Sequence, residues 1–306
     1  MNTAISAAGP TIGIVTVLFN SDDVLDGFFA SLALQSDISY RLYVIDNGAT
    51  TSGIDLSRKL AQQYGVDAEF LFNNANLGVA KGNNQGIEMA LRDHCEYVLL
   101  ANNDTEFNAG TLRLLADSLT EPNEAVATPA IYYYGTDALV WYAGGAINRW
   151  TLRTPHFGIL KPDPAGRRYP RHTEYAPTCF MLLRADVFAK VGLMDEAYFV
   201  YYDDTDFGWR LIQEGYRIRL VSDAIVQHKV STSTGGGMSP FSIFYTNRNR
   251  IYFARKNLSG INKLFTLGYI LCTRLTWHIR LSSALRERMW AGVKAGFGLN
   301  PTGKPR

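Results

Sequence analysis

Two hydrophobic periods alternate along the first half of the chain. Ile12–Phe19 (IGIVTVLF) is a short apolar run rich in β-branched residues, as in a buried strand. In the segment that follows, Val24, Leu25, Phe28, Phe29 and Leu32 recur at helical spacing. The exchange then repeats: RLYVIDNG before a helix near Ile54–Tyr64, AEFLFNN before a helix near Gln85–Arg92, and YVLLANND before a helix near Ala109–Leu119. Four strand–helix units in order predict an α/β fold, with a mostly parallel sheet flanked by helices. After Ala125 the pattern turns strand-rich and irregular, through AVATPAIYYY and Trp141–Arg149. The segment Asp163–Pro177, rich in Pro, Arg and Gly, reads as a mobile loop. A strand near Thr178–Leu183, a helix over Asp206–Glu214 and the strand IRLVSDAIVQH complete a body spanning residues 1–235. STSTGGGMSP reads as a flexible joint into a helical extension over 236–306, and no internal repeat is visible.

Composition narrows the class. With 47% hydrophobic and 19% charged residues among 306, the chain is neither disordered nor collagen-like. Cys95, Cys179 and Cys272 lie far apart with no C-x-x-C spacing, which argues against a disulfide framework or a zinc site and fits a reducing compartment. The opening MNTAISAAGP lacks a basic signal-peptide region, and nothing approaches 18 uninterrupted apolar residues, so a cytoplasmic protein is expected. Charge is unevenly placed. From Phe241 onward, twelve Lys and Arg face a single acid, Glu287; that +11 leaves −9 for the preceding residues of a chain whose net charge is +2.

Ligands of open parallel sheets sit beyond the carboxyl ends of the strands. After the first strand the chain reads FNSDD, which excludes a G-x-G-x-x-G turn and a Walker A loop; in GVAKGNNQG, Gly82 is followed by Asn83 where a phosphate loop needs Lys. Asp46, in Asp46-Asn47-Gly48, suits a ribose hydroxyl or base N–H, or a plain turn. The run Asn102-Asn103-Asp104 supplies the oxygen ligands that a divalent cation on a diphosphate requires, or an N-cap, although Asn108 is better placed to cap. Asp203, Asp204 and Asp206 crowd three carboxylates into four residues, more than a cap needs; Arg210 is one turn from Asp206 and can pair with it. His228 ends the last body strand, just before the joint.

These pieces, in this order, resemble family 2 glycosyltransferases of the GT-A fold, especially the bacterial rhamnosyltransferase-like branch. The resemblance covers roughly residues 11–260, through TVLFN, VIDNG, NNANLGVAKGNNQGI, LLANNDT, FMLLRADVFAKVGLMDEAYFVYYDDTDFGWRL and RNRIYFARK. It implies a nucleotide-binding half over about 11–125 and an acceptor half over about 126–235. By that resemblance, Phe19 and Asp46 border the base and ribose, while Asn76, Gly82, Asn84, Asn102 and Asn103 belong to the donor pocket. Asp104 and His228 would hold Mg²⁺ or Mn²⁺, and Asp204 would be the general base of an inverting transfer. The first acid of the family's D-x-D is Asn102 here, which leaves fewer anionic ligands. The implied reaction moves a sugar, rhamnose from dTDP-rhamnose first, from a nucleotide diphosphate to a glycan or lipid-linked glycan. A sugar-phosphate nucleotidyltransferase would need a glycine-rich, Arg-bearing loop after the first strand, which is missing. A non-catalytic sugar- or membrane-binding module is the rival that a donor-hydrolysis assay separates. Nucleic acid does not fit the acidic body. The basic, aromatic extension suits peripheral contact with the anionic inner membrane face; packing back onto the body, or a homodimer contact, is the competing use.

Overall fold

The computed structural model describes residues 11–136, 139–163, 169–230 and 238–301. Part of the expected mobile loop (164–168), most of the expected joint (231–237) and the first ten residues lie outside the described residues. The elements run β1 (Ile12–Leu18), α1 (Leu25–Ala33), β2 (Tyr40–Asp46), α2 (Ser52–Tyr64), β3 (Ala68–Phe72), α3 (Val79–Arg92), β4 (Tyr97–Ala101), β5 (Thr105–Phe107) and α4 (Thr111–Asp117). There follow β6 (Glu124–Tyr133), β7 (Val140–Tyr142), β8 (His172–Thr173), β9 (Phe180–Arg184), α5 (Val187–Val191), α6 (Asp203–Gln213) and β10 (Arg217–His228). Three helices close the chain: α7 (Pro240–Asn257), α8 (Gly260–Arg280) and α9 (Ser283–Gly298).

One sheet takes the order β3-β2-β1-β4-β9-β6-β10-β5. Its first four strands are parallel, as the strand–helix alternation predicts. Beyond β4 the expectation of a mostly parallel sheet gives way to a mixed one. β9 runs antiparallel to both β4 and β6, β10 is parallel to β6, and β5 is antiparallel to β10. A parallel neighbour needs a crossover, and β9 reaches the sheet from a loop-rich segment instead.

Helix α3 begins at Val79, well ahead of the expected Gln85, because Gly78 at φ +85° turns the chain into it. Its glycines seat it on β1. A Cβ at Gly86 would stand 2.2 Å from Val15 Cγ1, and one at Gly82 would stand 2.8 Å from Val17 Cγ1. In α4 the first helical turn starts from Gly110, so Asn108 supplies its backbone carbonyl to Thr111 N–H and not a side-chain cap.

The extension folds onto the body. Ile251, Tyr252, Phe253 and Ala254 of α7 are buried with Leu152, Tyr198 and Ile270. α9 lies close on α7 through Gly292 and Gly296, where a Cβ would meet the carbonyl oxygens of Phe244 and Arg248 at 2.4 Å each. α8 differs. Ile261, Leu264, Phe265, Leu275 and Ile279 recur along one of its faces and are exposed, Ile279 to 83%. No helix among the described residues is long and apolar enough to cross a membrane.

Candidate active site

A cleft of about 660 Å³ opens beyond the carboxyl ends of the parallel strands. One wall carries Phe19 after β1, Asn47 after β2, Asn76 ahead of α3, and Asn102, Asn103 and Asp104 after β4; His228 ends β10 in the same cleft. The other side holds Tyr175, Asp203 and Asp204. Of the residues singled out in the sequence, Phe19, Asn76, Asn102, Asn103, Asp104, Asp204 and His228 therefore meet around one space.

Asp46, Gly82 and Asn84 do not line it. Asp46 is buried behind the cleft, its Oδ1 accepting Gly48 N–H at 2.7 Å and its Oδ2 without a hydrogen-bond partner; burial pushes its carboxyl above the ordinary range. Its neighbour Asn47 stands at the cleft instead, donating to Gly78 O and accepting from Asn73. Gly82 is the contact with Val17. Asn84 is a clamp: its side chain donates to Met194 O and accepts Met194 N–H, each at 2.9 Å, fixing α3 to the segment that leads into the acidic cluster.

Asp104 and His228 are both buried, with His228 Nε2 3.1 Å from Asp104 Oδ1. That oxygen and His228 Nδ1 nevertheless have no hydrogen-bond partner. Burial alone would lower the imidazole, but the surrounding groups, Cys179 and Asp104, outweigh it and push it well up. Burial also pushes the Cys179 thiol up. An unsatisfied carboxylate oxygen beside an imidazole nitrogen, in a diphosphate-sized cleft, fits a two-residue share of a divalent cation's shell. Among the described residues no three His, Cys, Asp or Glu side chains gather around one metal position. The remaining ligands of such an ion would be donor oxygens and water.

Helix α6 starts at Asp203, not at Asp206, so all three acids occupy its first turn. They have different surroundings. Asp206 is fully buried and bonded to Arg210, Lys256, Asn257 and Tyr198, so although burial raises its carboxyl, Lys256 and Arg210 hold it below the ordinary range. Asp204 faces the cleft. Its Oδ1 accepts Thr205 N–H at 2.6 Å, and its Oδ2 accepts the Tyr175 hydroxyl. Burial pushes it up despite those bonds, and burial plus the Asp204 charge pushes Asp203 up. A raised, oriented, cleft-facing carboxylate can accept a proton.

Two supports were not singled out in the sequence. Tyr175 is stacked on His156, centroids 5.5 Å apart, and His156 meets the edge of Trp141, which in turn meets His228. Tyr175 lies in the stretch that read as a mobile loop, and nothing in its local pattern separates it from other tyrosines. The second support is the loop before α6. Phe199, Tyr201 and Tyr202 all have φ between +63° and +65°, a left-handed geometry costly for aromatic residues. Asn249, fully buried on α7, donates to Tyr198 O, Val200 O and Tyr201 O, and Arg248 donates to Ala197 O and Tyr198 O. The RNRIYFARK segment thus holds the loop that presents Asp203 and Asp204.

Comparison with known proteins agrees with this geometry. Residues 13–192 match the family described as glycosyl transferase family 2. An N-acetylglucosaminyl-diphospho-decaprenol L-rhamnosyltransferase of Mycobacterium tuberculosis is 27% identical over 90% of this chain and 91% of its own length. A dTDP-rhamnosyl transferase, RfbF, of Shigella flexneri is 24% identical over 60% of this chain and 61% of its own. Among solved structures, GalNAc-T7 with UDP, GalNAc and Mn²⁺ has the same fold, with a TM-score of 0.66 at 14% identity. That match spans 96% of this chain and 57% of the GalNAc-T7 chain. The cleft, the GT-A architecture and the match over most of the catalytic body lead to one conclusion: the chain is a glycosyltransferase belonging to family 2.

Proposed function

We propose that this enzyme moves rhamnose from dTDP-rhamnose, with inversion, onto a glycan or lipid-linked glycan. The donor and acceptor class are supported by the activities named for its mycobacterial and Shigella relatives. The observation that carries the chemistry is the cleft itself, where an orphaned Asp104–His228 pair and the oriented Asp204 carboxylate share one space.

Phe19 and the asparagines of the β1, β2 and β4 ends take the nucleotide; Asp46, Gly82 and Asn84 act behind them, fixing the turn and α3. Asp104 and His228 would hold Mg²⁺ or Mn²⁺, which when bound offsets charge developing on the leaving diphosphate. Asp204 accepts the proton of an acceptor hydroxyl while that oxygen bonds the anomeric carbon and the bond to the phosphate oxygen breaks. One displacement from the opposite face inverts the centre, by the logic of inverting glycosidases. Tyr175 and Thr205 hold the carboxylate in line, and Asn249 holds its loop. The basic extension and the exposed apolar face of α8 would keep the enzyme on the inner membrane face, beside a lipid-linked acceptor.

Thermal shift with a panel of nucleotide sugars tests the donor and metal assignments together, since a ligand that binds only the folded state stabilises it. dTDP-rhamnose with Mn²⁺ should raise Tm most, chelator should abolish transfer, and Asp104→Ala should remove the Mn²⁺-dependent part of the shift. Full transfer in excess chelator would overturn the metal assignment.

A further inference from the structure

A second pocket, of about 470 Å³, is lined by Asn148, Thr151, Arg153, Thr154, Pro155 and Tyr269. Two more guanidinium groups lie near it. Arg250 Nε donates to Thr151 O at 3.0 Å, and the same guanidinium lies 5.8 Å from the centre of the Tyr269 ring. Arg274, five residues past Tyr269 on α8, has a buried Nε with no hydrogen-bond partner. Several arginines of the body pair with acids: Arg210 with Asp206, Arg171 with Glu121 and Glu124, Arg217 with Glu121. Among the described residues no carboxylate pairs with Arg153, Arg250 or Arg274. The three repel one another: Arg274 is lowered to about 10, first by burial and then by Arg250 and Arg153.

Arg250 is buried and Arg274 half-buried; like charges gathered in such surroundings without a counter-charge are costly unless an anion completes them, and the planar, forked guanidinium matches phosphate oxygens. We propose that this pocket is a phosphoryl-binding subsite for the diphosphate ester of a lipid-linked acceptor, gripped by Arg153 with Thr151, Thr154 and Tyr269 around it, and with Arg250 and Arg274 adding positive charge nearby. The proposal rests on the lipid-linked reading of the acceptor given above. Its position suits that role. The Tyr202 hydroxyl donates to Leu152 O at 3.0 Å, beside Arg153, and Tyr202 is followed directly by Asp203 and Asp204. On the other side, Phe265 of the exposed α8 face packs edge-on against Trp150 at 5.2 Å, which offers an apolar path leading away from the phosphoryl site for a lipid chain.

The test uses the full chain without metal, so that the donor cleft lacks its cation, and titrates farnesyl diphosphate, farnesol and inorganic pyrophosphate by calorimetry. Farnesyl diphosphate should bind and farnesol should not. Arg153→Glu, at an exposed position, should weaken the diphosphate at least tenfold while leaving the dTDP affinity with Mn²⁺ unchanged; Arg274→Gln is the second variant. Pyrophosphate binding as tightly as farnesyl diphosphate supports the phosphoryl site and assigns its affinity to the anion alone; weaker binding credits the chain as well. Farnesyl diphosphate affinity within twofold of wild type in both folded variants would overturn the site. Failure of the donor reading is separate, because it would appear as absent dTDP-rhamnose binding with the diphosphate titration intact.

Discussion

Asp204 is set apart from its neighbours by surroundings and not by residue type. Asp203 and Asp206 are buried, and Asp206 is tied into a cation network, whereas Asp204 is only half-buried and faces the cleft with both oxygens oriented by donors. Asp204→Asn should therefore lower kcat about 10²-fold or more with donor affinity little changed, read by steady-state kinetics beside donor binding; a larger loss in Asp203→Asn or Asp206→Asn at intact stability would reassign the base. Tyr175 gives a separate test. Its hydrogen bond is among the effects that pull Asp204 down against burial. In Tyr175→Phe the base should titrate higher, and the acidic limb of the kcat profile should move to higher pH; a profile shifted the other way contradicts the role. His228 adds a sign of its own. Cys179 and Asp104 push its imidazole up, and a ligand must be neutral, so Mn²⁺ binding should strengthen as pH rises.

At the scale of elements, α6 and α7 depend on one buried network. Lys256 bridges Asp195 at 2.6 Å and Asp206 at 2.9 Å, Tyr252 donates to Asp195, and Arg210 pairs with Asp206. Removing one member of such a network leaves a buried charge without its partner, which costs about 3–5 kcal/mol. Asp206→Asn should lose stability of that size in denaturant unfolding, with the largest effect near neutral pH. The sign follows from Asp206 being held below the ordinary carboxylate range: its contribution is present above that range and disappears as pH falls through its folded pKa. Asp203 runs the other way. Its raised carboxyl weakens the fold as pH climbs past the ordinary carboxylate range, so Asp203→Asn should stabilise more at pH 8 than at pH 4.

Across the whole molecule the charge asymmetry persists as a spatial one, with part of its meaning altered. Tyr252 and Phe253 are buried against the body, and Arg248, Arg250 and Lys256 are engaged in hydrogen bonds to it. The proposed membrane attachment through the extension would therefore depend on α8, whose apolar face is exposed, and on the cations around it. Flotation with anionic vesicles should carry the protein upward at low salt and release it as salt screens the charge; Leu264→Asp with Ile279→Asp should abolish flotation without loss of secondary structure. A protein that stays behind at low salt would leave α8 without that role.

What the sequence determined follows from periodicity and from motif chemistry. The alternation of strand and helix patterns specified the parallel half, because burying both faces of a parallel strand demands a continuous apolar run and its crossover helix demands a 3.6-residue repeat. The ordered motifs likewise brought Asp104, Asp204 and His228 into view. Tertiary structure decided what depends on neighbours distant in the chain. It reversed β9, and it moved Asp46 and Asn84 behind the cleft while bringing Asn47 forward. It also distinguished three aspartates within four residues by supplying Tyr175 to one and Lys256 to another, 29 and 50 residues away. Pairing, burial and electrostatic partnership belong to contacts between remote segments, so a local pattern can nominate such residues, but only the folded chain assigns their work.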